Sequence, residues 1–177
     1  RLTRLIGRGG MLVADYGGFQ VIDTDEPANG LPGARVQAEV DSDVIELNST
    51  RIHTRSAQGR GAGKVVTKFA GRKLHLIQFA GPIKPEWRAV LEQSGAKIIS
   101  YVPQNAYLVY ANEPALTQIQ SWAEVATTIQ WEGEYADDYK LQPGARLVDA
   151  YGFPQVPDSD TFALQLVNDP QANPNTL

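Results

Sequence analysis

The residues of this chain that could do chemistry are few: two histidines, His53 and His75, three Asp-x-Asp pairs, one Gly-Lys step and no cysteine. A serine-histidine-aspartate site needs an ordered base beside a nucleophile, and neither histidine adjoins a Gly-x-Ser-x-Gly turn. His75 falls in an apolar, alternating run that reads as a strand, and His53 lies beside Thr54-Arg55 in a loop. Gly63-Lys64 is followed by Val65 rather than Ser or Thr, and Gln58 stands where a phosphate loop has its first glycine. Asp23-Thr24-Asp25 opens like a calcium loop, yet Pro27 takes the third ligand position and Ala34 the closing Glu position. Asp41-Ser42-Asp43 and Asp158-Ser159-Asp160 read as turn caps. In Tyr16-Gly17-Gly18-Phe19-Gln20-Val21, Asp15 replaces the basic residue that an RNA-binding strand requires. Ala80-Gly81-Pro82 cannot cradle a phosphate, because proline has no N–H. The sequence therefore predicts no catalytic residue, no metal site and no cofactor.

Composition narrows the classes further. The chain has 177 residues, room for one or two small domains, and 42% hydrophobic residues are enough for packed cores. A net charge of −4 argues against binding nucleic-acid backbones, which takes clustered Lys and Arg. No run approaches the ~20 apolar residues of a membrane span. Residue 1 is Arg, which suggests a processed segment whose secretion signal lay upstream.

The elements follow from period and punctuation. Residues 1–55 read as a partial α/β module: a helix end with Leu2, Leu5 and Ile6, a Gly9-Gly10 stop, a hairpin over Met11–Asp23, and extended pieces at 34–40 and 43–47. Residues 56–72, which contain Ser-Ala-Gln-Gly-Arg-Gly-Ala-Gly-Lys, read as a flexible linker. Residues 73–141 form the one complete unit. Lys73–Phe79 is a largely buried strand, and Pro85 opens a helix bearing Trp87, Val90 and Leu91 that Gly95 stops. Ile98–Val102 and Ala106–Tyr110 make a hairpin, Asn112 caps a second helix bearing Leu116, Ile119 and Trp122, and Thr127–Trp131 is a strand. Strand-helix-strand-strand-helix-strand predicts an α+β fold of the ferredoxin-like split βαβ kind, with both helices on one face of an antiparallel sheet. Trp87 and Trp122 are expected between helices and sheet.

An internal repeat extends this picture. Residues 162–170 line up with 74–82, Leu5–Val13 with Leu91–Ile99 (Gly9 against Gly95), and Phe19-Gln20-Val21 with Tyr107-Leu108-Val109. Residues 142–160 then read as a Pro/Gly linker and 161–177 as the first strand of a further module, within a tandem and partly incomplete repeat.

Three segments carry a family resemblance: Gly95-Ala96-Lys97-Ile98-Ile99, Asn105-Ala106-Tyr107-Leu108-Val109, and Ile129-Gln130-Trp131-Glu132-Gly133-Glu134-Tyr135. Together they resemble the N-terminal prodomain of secreted bacterial subtilisin-like serine proteases. The resemblance covers 73–141 well and 1–55 loosely. It implies a secreted, non-catalytic prodomain that chaperones and inhibits its cognate catalytic domain. Such a prodomain lays its open sheet face on two protease helices and its tail in the substrate cleft. Carried over by position, Glu132 and Glu134 would meet those helix N-termini, and Tyr135, Tyr139 and Leu141 would lead into the cleft. The chain runs on past Leu141, which makes Leu177 a candidate cleavage end. The alternative is a structural or adhesion module that assembles with copies of itself through unpaired strand edges.

Overall fold

The computed structural model describes residues 9–24, 37, 41–62, 68–149, 151–156, 161–170 and 172. The fold is mixed α+β, built from small antiparallel sheets and helices. Two hairpins come first: β1 (Met11–Asp15) pairs with β2 (Gln20–Asp23), and β3 (Val44–Glu46) pairs with β4 (Arg51–His53). A short helix α1 (Ala57–Ala62) precedes β5 (Arg72–Phe79), α2 (Pro85–Gln93), β6 (Lys97–Val102), β7 (Ala106–Asn112), α3 (Glu113–Val125) and β8 (Ile129–Glu134). A one-turn helix α4 (Asp137–Lys140) and a 3-10 turn at Pro143–Ala145 follow.

Strands β5 to β8 form one antiparallel sheet in the order β6-β7-β5-β8. The first strand in sequence is thus an inner one, with Leu76 opposite Leu108 on one side and Gly133 on the other. Being covered on both faces, β5 buries five consecutive residues, His75 to Phe79, which is why its sequence is more apolar than a strict alternation. Local signals set the other boundaries. Pro85 occupies the first turn of α2, and Gly95 leaves it with φ +87°. Asn112 Oδ1 accepts from the Ala115 N–H at 3.1 Å and caps α3. The β6–β7 turn holds Gln104 and Asn105 at φ 68° and 59°, a left-handed pair of the kind that suits the twist of two strands joined tightly.

One core lies between the sheet and the two long helices. Phe79 stacks on Trp87 (centroids 5.5 Å apart), meets Trp122 at 5.9 Å, and takes Tyr107 edge-on at 6.4 Å. Leu91, Leu116, Ile119 and Ile129 complete it, and Val13 and Ala14 of β1 pack against it. Both tryptophans sit where the sequence places them.

The other face of the sheet is covered as well, by the chain itself. Ile45 and Ile52 of the β3–β4 hairpin pack on Leu76, Val102, Ala106 and Trp131. A polar weld fixes the hairpin there. The fully buried Gln78 donates its amide to Ser42 O and Gln104 O (3.0 Å each), and its Oε1 accepts from Thr54 Oγ1 (2.8 Å) and Gln130 Nε2 (3.0 Å). Gln130 reaches this face because it is the extra residue of a β-bulge: Trp131 pairs with Gln78 and Ile129 with Phe79.

Part of the expected linker is therefore ordered. Ser56 Oγ accepts from the Gly59 N–H at 2.9 Å and so caps α1, while Trp131 Nε1 donates to Gly59 O at 2.8 Å. A Cβ on Gly59 would lie 1.9 Å from His53 O, so this glycine serves close packing rather than flexibility. His53, expected in a loop, ends β4. Residues 161–170 of the expected 161–177 strand do not take strand form in the structure. Residues 1–8, the 34–36 and 38–40 parts of the extended piece, 63–67 and 173–177 lie outside the described residues.

Candidate functional site

The residues expected at a partner interface separate into two groups. Glu132 is buried beneath α3, not presented outward. It sits on the helix-side face of β8, where its carboxylate contacts His75 Nε2 and accepts from Gln120 Nε2 at 3.4 Å. Tyr135 and Tyr139 also turn inward. Their rings meet edge-on at 5.7 Å, the Tyr135 hydroxyl donates to Tyr139 O at 2.9 Å, and both pack on the second core beside Leu47 and Leu108. Burial raises the Tyr135 phenol above its ordinary value of 10.0, against a smaller opposite pull from Lys140.

Glu134 and Leu141 remain outward. Glu134 is exposed at the end of β8, where it pairs with Lys73 Nζ at 3.1 Å, and Leu141 is about half exposed just after α4. Glu132 and Glu134 share a face by the two-residue period of a strand. One is buried and the other open only because α3 covers the middle of β8 and not its end. Leu177 lies outside the described residues.

Between these groups the chain makes a fixed turn. Asp138 O accepts from Arg146 (2.8 Å) and from Ser49 Oγ (3.4 Å), tying α4 to the tip of the β3–β4 hairpin. The Lys140 ammonium holds the exposed Asp137 carboxyl below its usual range, chiefly by a direct hydrogen bond.

Beyond that anchor comes a feature that the sequence reading passed over as linker. Leu147, Val148, Tyr151, Phe153 and Val156 are all exposed, Tyr151 at 87% and Val156 at 91%. They stand on a small built hairpin. Val148 bridges Pro154, Asp149 N donates to Phe153 O at 2.9 Å, Gln155 N donates to Leu147 O at 2.7 Å, and Gly152 takes φ +83° at the turn. The Asp149 carboxylate accepts from the N–H groups of Tyr151 and Phe153 at 2.8 and 2.9 Å, so it holds both aromatic residues at the tip. The signal was present as Leu-Val-Asp-x-Tyr-Gly-Phe-Pro, an apolar pair around an Asp-x-x-Gly turn.

Among the described residues, no group of three or more His, Cys, Asp or Glu is placed to hold a metal ion, and no helix is long and apolar enough to cross a membrane. The arrangement can hold and present surfaces: a buried acid-histidine pair inside, and an ordered apolar segment outside. A family model described as Domain of unknown function (DUF8729) matches residues 32–136, more than half of the chain. No curated protein and no solved structure matches it.

Proposed function

The chain belongs to the DUF8729 family, and we propose that it is a non-catalytic prodomain-type module of a secreted subtilisin-like protease, which chaperones and inhibits the catalytic domain. The single observation that carries this reading is the exposed apolar run from Leu141 to Val156, presented from an anchored turn directly after the last sheet strand. The strand order β6-β7-β5-β8, with both long helices on one face, agrees with a ferredoxin-like split βαβ unit, the fold the resemblance implies. Isolated exposed apolar residues are ordinary on a surface, whereas a contiguous set on a built hairpin marks a protein contact.

The contact differs from the simple prodomain arrangement. The sheet face that would lie on the protease is occupied by β3–β4 and α1, and Glu132 is inside the module. Docking then falls to Glu134, Leu141 and the aromatic tip, with the tail adding to the cleft as an extended segment. Titration of the whole chain against a broad-specificity subtilisin tests the reading. Inhibition at micromolar concentration, reduced at least about tenfold by Tyr151→Ser with Phe153→Ser, is the expected result. Undiminished protease activity at micromolar chain removes the proposal. A second reading, a structural or adhesion module assembled by strand pairing, is favoured by the exposed apolar side chains of Phe162, Leu164 and Leu166.

A further inference from the structure

The tip of the β3–β4 hairpin is the two-residue turn Asn48-Ser49, closed by backbone alone. Leu47 N donates to Thr50 O at 2.9 Å and Thr50 N to Leu47 O at 3.3 Å. An asparagine at a turn or cap ordinarily serves the nearby backbone in one of two ways. It tolerates a left-handed φ, as Asn105 does at 59°, or its side chain accepts from an N–H further along, as Asn112 does from Ala115. Asn48 does neither. Its φ is not positive, and its side chain makes no hydrogen bond to any described residue. The carboxylates at two other hairpin turns are employed in this way, Asp15 accepting from Gly17 N at 2.7 Å and Asp149 from Tyr151 N at 2.8 Å. Asn48 is exposed, while its neighbour Ser49 is partly covered and donates to Asp138 O at 3.4 Å. The turn therefore has no structural use for the Asn48 amide.

Asn48-Ser49-Thr50 has the form Asn-x-Ser/Thr with no proline between, the acceptor pattern for an N-linked glycan. Asn48 is the only asparagine of the sequence with Ser or Thr two positions later. The Thr50 hydroxyl, the group a glycosylating enzyme reads, makes no hydrogen bond to a described residue. Glu46 stands two residues before Asn48, where some such enzymes also read a carboxylate. Its partner is Arg51 at 2.8 Å, a pair exposed on both sides and so readily exchanged.

We propose that Asn48 is an N-glycosylation site, with an oligosaccharide linked through pyrophosphate to a lipid as its donor class. The Asn48 amide nitrogen forms a bond to the anomeric carbon of the sugar, and the bond from that carbon to the phosphate oxygen breaks. The lipid pyrophosphate leaves with the electron pair, and the nitrogen gives up one proton. The fold accepts the product, because the hairpin is held by the backbone of Leu47 and Thr50 and by Ile45 and Ile52, none of which the sugar displaces. The hairpin also precedes all four strands of the large sheet, so the acceptor is made before that sheet closes and is still exposed afterwards. The inference rests on the secretion contained in the proposed function and not on protease inhibition. The two fail separately: a glycosylated chain that inhibits nothing removes only the earlier reading.

The first test is peptide mass spectrometry of the whole chain from its native source. The peptide containing Asn48 is expected to carry sugar, and enzymatic release of the glycan should leave that residue as an aspartate. In vitro, the folded chain with a purified oligosaccharyltransferase and a lipid-pyrophosphate oligosaccharide is expected to gain one glycan. Asn48→Gln should abolish the gain with unchanged circular dichroism. Thr50→Ala should slow it at least about tenfold, and Thr50→Ser should keep most of it. Unmodified Asn48 in the native chain overturns the proposal. So does a folded chain left unmodified where a synthetic peptide of residues 44–53 is modified, or a gain that persists in Asn48→Gln.

Discussion

Replacing Gln78 by Met tests whether the polar weld under the sheet is what joins the β3–β4 hairpin to it. Met conserves much of the volume and fills irregular gaps, so the main loss is the amide. Two of its partners have alternatives. Thr54 Oγ1 is 2.8 Å from Asp43 O, and Gln130 Nε2 is 3.0 Å from Ser42 O. Gln104 O has its donor removed, in a turn already held at positive φ. A buried acceptor stripped of its donor costs about 1–3 kcal/mol, and each re-paired neighbour gives up a further fraction of ~1 kcal/mol. The sum is about 3 kcal/mol, which for a chain of this size lowers the melting temperature by roughly 6–12 °C. Urea unfolding followed by tryptophan fluorescence measures it. Hydrogen exchange adds a local readout, in which the amides of Val44 and Thr54 should lose protection before those of β5. A loss below ~1 kcal/mol, or unchanged exchange in the hairpin, would refute the reasoning.

Three further outcomes follow from the same geometry. Gly59→Ala forces a methyl against His53 O, should cost about 1–3 kcal/mol, and should open α1 to limited proteolysis ahead of the rest of the fold; an equally resistant variant would count against the docked helix. Asn112→Ala removes the cap of α3 and should cost about 1 kcal/mol by chemical denaturation, with Asn112→Ser restoring most of it. The folded chain holds the Tyr135 proton more tightly than the unfolded one, since burial raises that phenol above 10.0. Its contribution is therefore complete below pH 10 and lost as pH rises through the folded value, so stability should fall in strong alkali and Tyr135→Phe should flatten that fall. Tyrosinate absorbance together with thermal melts at stepped pH checks this, and identical slopes for both proteins would contradict it.

What could be read from the sequence is what short-range chemistry decides. Pro85, Gly95 and Asn112 mark boundaries through their own backbone preferences, and Trp87 and Trp122 announce themselves by size. The second face of the sheet was not legible in that way. Its cover comes from residues far away in the chain, and the polar residues that fix it, Gln78, Gln130 and Thr54, look in sequence like ordinary exposed positions. Gln130 changes face only because of a bulge, which no alternation pattern registers. Glu132 misled for a related reason: alternation says which residues share a face but not how far along the strand a helix covers it. A histidine in β5 with a glutamate in β8 was the available hint, and it becomes visible only once those strands are known to be neighbours. The glycines at 59–63 carry two meanings, freedom and closeness, and Gly59 uses the second.

The position of β5 bears on how the chain folds as it is made. β5 is the earliest strand of the four-stranded sheet, yet both its neighbours, β7 and β8, come later in the sequence. A chain emerging from its N-terminus therefore exposes Leu76, Ile77 and Phe79 with no sheet to receive them. Of the partners made before it, the β3–β4 hairpin can shield Leu76 on one side, and Val13 and Ala14 of β1 can cover part of the other. The sheet closes when β8 arrives, through contacts of long sequence separation, a topology that folds slowly for its size. In the meantime the hairpin acts as a temporary lid on the strand's apolar side, and the residues that later complete the structure protect it first from aggregation.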